Sequence, residues 1–453
     1  MSFSCFTFLF TFLPCMLLLY FLVPAGFRNF LLIIGSFFFY AWGDPSGLPC
    51  LIGISAAGYL SVLVMTRKEK YRKPALIAGL VLILGWLCVC KYTAFLFENL
   101  NALGLGLSIP EIKSPAGISF FAFTAAGFVI DAYTGRFPLP DVESYLTFIT
   151  MFPKLLMGPI VGYEDLSAQI RRREITGEKL EKGAFLFAEG LFKKAVIADN
   201  IVGLWDEVQS IGFESCSSAL SWLGVIAFSL ELYFDFSGYS DMASGLASMF
   251  GFELPENFHT PYSSVSVTEF WRRWHITMGA WFRNYVYFPL GGSRCSAARR
   301  TLNILAVWIL TGLWHGSAWN FVLWGLYHFA ILSLEKRYYL KWLEKHRFAG
   351  HIYTLFAEAV GWSIFAVSDL PELSALLISM FSFSSGVSSL YYLRNYGVLL
   401  LLSVIFSTEQ AEDLLRKLSG KTALRLILTL VMIVISIAYI TDSTYTPFLY
   451  AQF

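Results

Sequence analysis

Residues 311–326 read TGLWHGSAWNFVLWGL, and the one ionisable side chain in that run is His315. From Leu302 to Leu334 nearly every other residue is aliphatic, aromatic or small, which predicts a greasy helical hairpin with an imidazole deep inside it. Gly312 and Gly316 flank the histidine and permit close approach of backbone or ligand. Whether that hairpin belongs to a soluble core or to a membrane is decided by the rest of the chain.

Hydrophobic residues make up 56% of 453 and charged ones 14%, against about 25% charged in an ordinary soluble domain. The composition therefore excludes a soluble fold. Lys and Arg exceed Asp and Glu by 33 to 32, and the basic residues are spread over short loops, which excludes a nucleic-acid partner. Apolar windows near the ~20 residues of a span recur from Phe6–Val23 to Leu426–Ile440. They predict an all-α polytopic membrane protein with about ten to thirteen transmembrane or re-entrant helices, forming a single integral-membrane domain over residues 1–453.

The opening FSCFTFLFTFLPCMLLLYFLV lacks a basic leader and a small-residue cleavage site, so it is read as a retained first span. The loops Arg67–Lys73 (RKEKYRK) and Arg171–Lys182 are assigned to the cytoplasm by the positive-inside rule, which places the amino terminus outside. Seven cysteines without a C-x-x-C pair read as buried inert thiols, and no metal site is expected.

Texture divides the chain. Residues 1–110 are plain scaffold spans and 350–453 return to that texture, whereas 115–335 interrupt apolar windows with polar and ionisable groups. Charge at membrane depth is costly and usually faces a cavity or partner, so 115–335 is the expected catalytic core.

Within it, Val267–Tyr287 has helical spacing: Trp271, Trp274, His275, Met278 and Phe282 share one stripe, with Arg272, Arg273 and Arg283 off it. Thr268 is placed to cap the start, and Pro289 with Gly291 and Gly292 to end the element. The arginines serve either lipid headgroups or an anionic substrate. His275 alone is either a packed core group or a catalyst; with His315, each beside a tryptophan (Trp274, Trp314), the pair suggests a shared site. A histidine there can take a proton from a hydroxyl as it attacks an acyl group, fill a structural role, or lie on an ion path.

Glu231 and Asp235 share a helix face, suited to interhelical hydrogen bonding or to orienting a histidine, and Asp241 is placed to cap a following segment after Gly238. Lys193 and Lys194 read as interfacial snorkels, and His259, His328, His346 and His351 as structural or solvated. No G-x-S-x-G elbow, Walker A loop or G-x-G-x-x-G is present, so the catalytic reading rests on histidine.

SVTEFWRRWHITMGAWFRNYVYFPLGGSR, followed 40 residues after its histidine by LWHG, resembles the membrane-bound O-acyltransferase family, in its bacterial alginate O-acetyltransferase branch. FYAWGDPSGL, SPAGISFFAFTAAGFVIDAYTG, MFPKLLMGPIVGYEDL, ELYFDFSGYSDMA and the terminal YTPFLYAQF extend the resemblance over the chain. It implies a ring of helices around a central buried histidine. On this resemblance His315 is the catalytic histidine and His275 a second participant, with Trp274, Trp314, Arg272, Arg273 and Arg283 beside the substrates. Where relatives carry a Phe-Arg pair after the late Gly-Trp, this chain has Phe365-Ala366.

The function implied is transfer of acetyl from cytoplasmic acetyl-CoA, with no bound cofactor, across a bacterial cell membrane. The acceptor would be an exported or cell-surface polysaccharide, reached through an extracytoplasmic SGNH-like acetyltransferase partner. The alternatives are acylation of peptidoglycan, teichoic acid (D-alanylation) or a protein. A transporter using His315 and the acidic residues is a further reading; it predicts internal repeats, and the sequence has none.

Overall fold

The computed structural model describes residues 1–442 and Phe448; of the terminal YTPFLYAQF, only Phe448 lies within them. Among the described residues regular structure is helical, apart from one isolated bridge between Cys216 and Val387. An apolar chain without water has to satisfy its backbone internally, and helices do so within each segment. Six helices are long and apolar enough to cross a membrane: Ala25–Gly43, Leu48–Arg67, Glu69–Ala102, Ser218–Met249, Ser389–Phe406 and Thr422–Asp442. Shorter apolar helices cover Phe8–Leu22, Ile118–Thr134 and Leu370–Phe381. The protein is a multi-pass membrane protein.

Packing groups the described residues into two compact units, one formed by Met1–Phe187 with Tyr239–Pro255, the other by Ala188–Gly238 with residues 256–442 and Phe448. In the first unit small side chains let helices approach closely, as expected where lipid removes the hydrophobic driving force between them. A Cβ on Gly79 would collide with Ser61 of the neighbouring helix. Tyr145 donates to the Ser55 carbonyl at 2.7 Å, and Asp44 accepts from the amides of Gly47 and Ala116.

The second unit holds the hairpin, with helices Ala297–His315 and Trp319–Leu334. Ser296 caps the first by accepting from the Arg299 amide. Close contact between the two depends on absent side chains: a Cβ on Gly312 would meet the Phe321 carbonyl, one on Gly316 the Phe321 ring, and one on Gly325 the Trp308 carbonyl. The approach the two flanking glycines allow is thus made by backbone and ring of the same hairpin. Asn320 donates to the carbonyls of Ile364 and Phe365 at 3.2 and 3.0 Å, satisfying the last turn of helix Arg347–Ala366.

The segment expected as one helix over 267–287 is broken. It forms Val267–Arg273, then Ile276–Phe282, then a π turn over Arg283–Tyr287. Ser266, not Thr268, is the cap, accepting from the Glu269 amide. The fully buried Glu335 carboxylate accepts from the next two amides, Val267 at 2.8 Å and Thr268 at 2.7 Å, a favourable place for a negative charge. The break falls at His275, whose φ of 43° lies in the left-handed region. A second expectation also fails: helix Ser218–Met249 runs unbroken through Gly238, so Asp241 lies inside it and caps nothing.

Candidate active site

His275 is fully buried at the break, and a neighbouring loop fixes its ring. Its Nδ1 lies 3.1 Å from Asn257 Oδ1, which also accepts from the Thr277 amide at 3.2 Å and the Thr277 hydroxyl at 2.8 Å. An oxygen in that role cannot donate, so Nδ1 carries the proton and Nε2 is the basic nitrogen of the ring. Asn257 holds the chain at the break and just after it, because its own carbonyl also accepts from the Ile276 amide. Phe236 meets the imidazole edge-on at 4.7 Å.

His315, 2% exposed, is the last residue of its helix. Three aromatic rings wall it edge-on: Trp314 at 5.0 Å, Trp324 at 5.1 Å and Phe365 at 5.2 Å. Trp314 also lies 5.7 Å from the His275 ring. The structure therefore brings both sequence-predicted histidines into contact with one indole. Trp274 lies outside that contact, stacked on Phe270 at 5.5 Å and packed on Trp362 at 4.8 Å.

The three arginines do not gather at the histidines. Arg273 is committed to Glu269 at 2.6 Å and to Glu409, which makes it a tie between the FWRRW helix and the segment after residue 406. Arg272 and Arg283 are exposed. Arg272 and Arg300 both bear on the exposed Lys336 amine, with the Glu335 carboxylate opposing them, so basic side chains neighbour one another on that side of the unit.

Other readings are corrected. Lys194 is no snorkel: it is 2% exposed and paired with Asp235 at 2.6 Å and Asp199 at 2.8 Å. Asp235 is thereby paired with a lysine. Of the two readings left open for His328, structural or solvated, its burial among tryptophans gives the structural one. His259 pairs with Glu256 at the surface, His346 is exposed, and His351 is bonded to the Ser264 carbonyl. Sequence reasoning missed Asn257, Phe365, His328 and Glu358. The one available signal lay beside Phe365, where Ala366 stands in place of the arginine of the family's Phe-Arg pair.

This chain belongs to the membrane-bound O-acyltransferase family: residues 123–367 match its model, and that stretch contains both histidines. The protein is therefore a membrane acyltransferase. Over 399 residues it is 37% identical to the "Probable alginate O-acetylase AlgI" of Azotobacter vinelandii, covering 86% of this chain and 80% of that protein. It is 34% identical to the protein of the same name from Pseudomonas putida over the whole of both chains. It is also 34% identical to the "Peptidoglycan O-acetyltransferase" of Helicobacter pylori, over 73% of this chain and 69% of the other.

Proposed function

We propose that this protein is an O-acetyltransferase of the bacterial cell membrane, which takes acetyl from cytoplasmic acetyl-CoA and passes it across the bilayer for O-acetylation of an exported or cell-surface polysaccharide. The observation that carries the reading is the pair of buried imidazoles that both contact Trp314, in a chain of an acyltransferase family. His315 is the general base. Its ring nitrogen takes the proton of the attacking hydroxyl as that oxygen bonds to the thioester carbonyl carbon. The carbon–sulfur bond then breaks, and the imidazolium returns the proton to the leaving thiolate, giving an acetyl ester and free coenzyme A.

His275, with Nδ1 held by Asn257, offers a second basic nitrogen toward the same indole. The positive charge around Arg272, Lys336 and Arg300 suits the phosphates of coenzyme A. The chain has no serine-hydrolase motif, so final transfer to polymer falls to a separate extracytoplasmic SGNH-like partner, with a diffusible or partner-borne hydroxyl as the immediate acceptor.

The test is chemical. Deleting the gene removes acetyl esters from the exported polysaccharide, wild-type protein restores them, and His315→Ala, inserted at normal level, does not. Restoration by His315→Ala refutes the assignment. Peptidoglycan as acceptor is the second reading, favoured by the Helicobacter relative; loss of acetyl from muropeptides with the polysaccharide unchanged would select it.

A further inference from the structure

We propose that Glu358 and His328 form a clamp that holds the Trp324 indole against His315, making both of them positioning residues of the acyl-transfer centre. The proposal rests on His315 being the reactive histidine, and its test separates the two claims.

His328 lies one helical turn after Trp324 and points two ways. Nδ1 is 3.1 Å from the Trp324 carbonyl, which can only accept, so this nitrogen carries a proton. Nε2 is 3.4 Å from Glu358 Oε2 on helix Arg347–Ala366. Both side chains are 1% exposed. The pair ties the second hairpin helix to its neighbour at the level of the tryptophan.

The aromatic packing carries that tie to the reaction centre. The His328 ring lies 4.6 Å from Trp324, is stacked on Trp308 at 5.1 Å, and meets Trp271 at 5.0 Å. Trp324 in turn meets His315 at 5.1 Å and Phe365 at 5.5 Å, so one ring separates the clamp from the base. A Cβ on Gly361 would come within 2.9 Å of His328 Cε1, so glycine there leaves the imidazole its place. Each aromatic contact is worth only about 0.5–1.5 kcal/mol, so how firmly the Trp324 wall is held bears on the orientation of His315. Two apolar side chains would join the same helices without burying two ionisable groups, whose desolvation is costly. A hydrogen-bonded pair fixes direction, which apolar contact does not.

The experiment uses the full chain in nanodiscs and in cells that supply its acceptor. Three quantities are read: kcat and KM for acetyl-CoA, melting temperature, and the rate at which diethyl pyrocarbonate modifies His315, followed by mass spectrometry. Misplacement of a reacting group by an ångström lowers rate by about 10²-fold. In Glu358→Ala we expect kcat to fall about tenfold or more, an acetyl-CoA KM close to wild type, and faster modification of His315. Glu358→Gln, whose amide can donate to Nε2, restores most of the rate. If Glu358→Ala does not accumulate, Gly361→Ala displaces the His328 ring with both partners retained and carries the same expectation. An unchanged His315 modification rate in a folded variant overturns the clamp. So does an equal loss in the Ala and Gln variants, or a loss that only follows the amount of folded protein. If His315→Ala proves active, the assignment of the reaction centre fails, and the labelling rates alone still decide whether the clamp positions that ring.

Discussion

FWRRWH and LWHG each put a histidine directly after a tryptophan in an apolar run, and the two segments fold differently. His315 ends an unbroken helix in ordinary backbone geometry and is placed by three ring edges. His275 sits at a break with φ 43° and is placed by hydrogen bonds to Asn257. A left-handed non-glycine residue costs roughly 1–3 kcal/mol and persists where its surroundings over-determine it. The Asn257 bonds to His275, Thr277 and Ile276 provide that. Ring edges wall one imidazole and the Asn257 network fixes the other, so they should respond differently to substitution.

The largest effect is expected at His315. Its replacement by alanine removes the base and should lower acetyl transfer by about 10²- to 10⁴-fold, while melting temperature moves little, because each lost ring contact is worth only about 0.5–1.5 kcal/mol. The companion change His275→Ala should cost as much or less in rate. Acetyl transfer and thermal melting measured on both variants test the ranking: a larger rate loss at His275 would reverse the roles.

A buried polar cluster that serves no transfer step sharpens the contrast. Lys194 with Asp199 and Asp235 is satisfied by its own opposite charges. Lys194→Met leaves two carboxylates without their cation and should destabilise the protein by about 3–5 kcal/mol, read as a lower melting temperature and yield. The rate per folded molecule should stay close to wild type; a rate loss at unchanged stability would bring this cluster into the reaction.

The hairpin was legible because its information is local: an apolar run of hairpin length, and glycines where the two helices touch. The break at His275 was not, since the residue that causes it lies 18 positions earlier in a loop, and helical periodicity continues through Trp274 and His275 as if nothing competed for their backbone. The same blindness misread Lys194, one of whose two partners is 41 residues away, and left the place of His328 open, since its partner is 30 away. A lone charge in an apolar window announces that a partner exists without saying where. Asp241 was misread for the opposite reason: Gly238 looked like a stop, whereas it lets the helix pass close to the Gly190 carbonyl, 2.7 Å from where a Cβ would be.

Asn257→Ala tests the polar half of the comparison directly. It removes three side-chain acceptor contacts and leaves the left-handed segment with the carbonyl bond from residue 257 to the Ile276 amide. A fall in rate of about tenfold is expected, in step with a stability loss of ~1–3 kcal/mol for the unsatisfied buried groups. The same substitution should leave His315 reactivity toward diethyl pyrocarbonate close to wild type. If His315 labelling changes as much as His275 labelling, the two imidazoles are not independently placed.

The smallest effect is expected outside the histidines, at the paired arginines. Arg273 is bound to Glu269 and Glu409, so Arg273→Glu sets three carboxylates together and should act on stability. Arg272 is exposed beside the charge that also bears on Lys336, so Arg272→Glu should act on the donor. Exposed charge pairs are worth about 0.2–1 kcal/mol, which converts to roughly a 1.4- to fivefold rise in acetyl-CoA KM. Because the contacts are solvent-accessible, the difference from wild type should shrink as ionic strength rises and the screening length falls below ~8 Å. The measurement is KM in nanodiscs at low and high salt, beside cysteine labelling of Arg67–Lys73 and Arg171–Lys182 in intact cells with an impermeant reagent. An unchanged KM would return Arg272 to lipid headgroups, and labelling of either loop from outside would place these arginines on the side of the membrane where acetyl-CoA is absent.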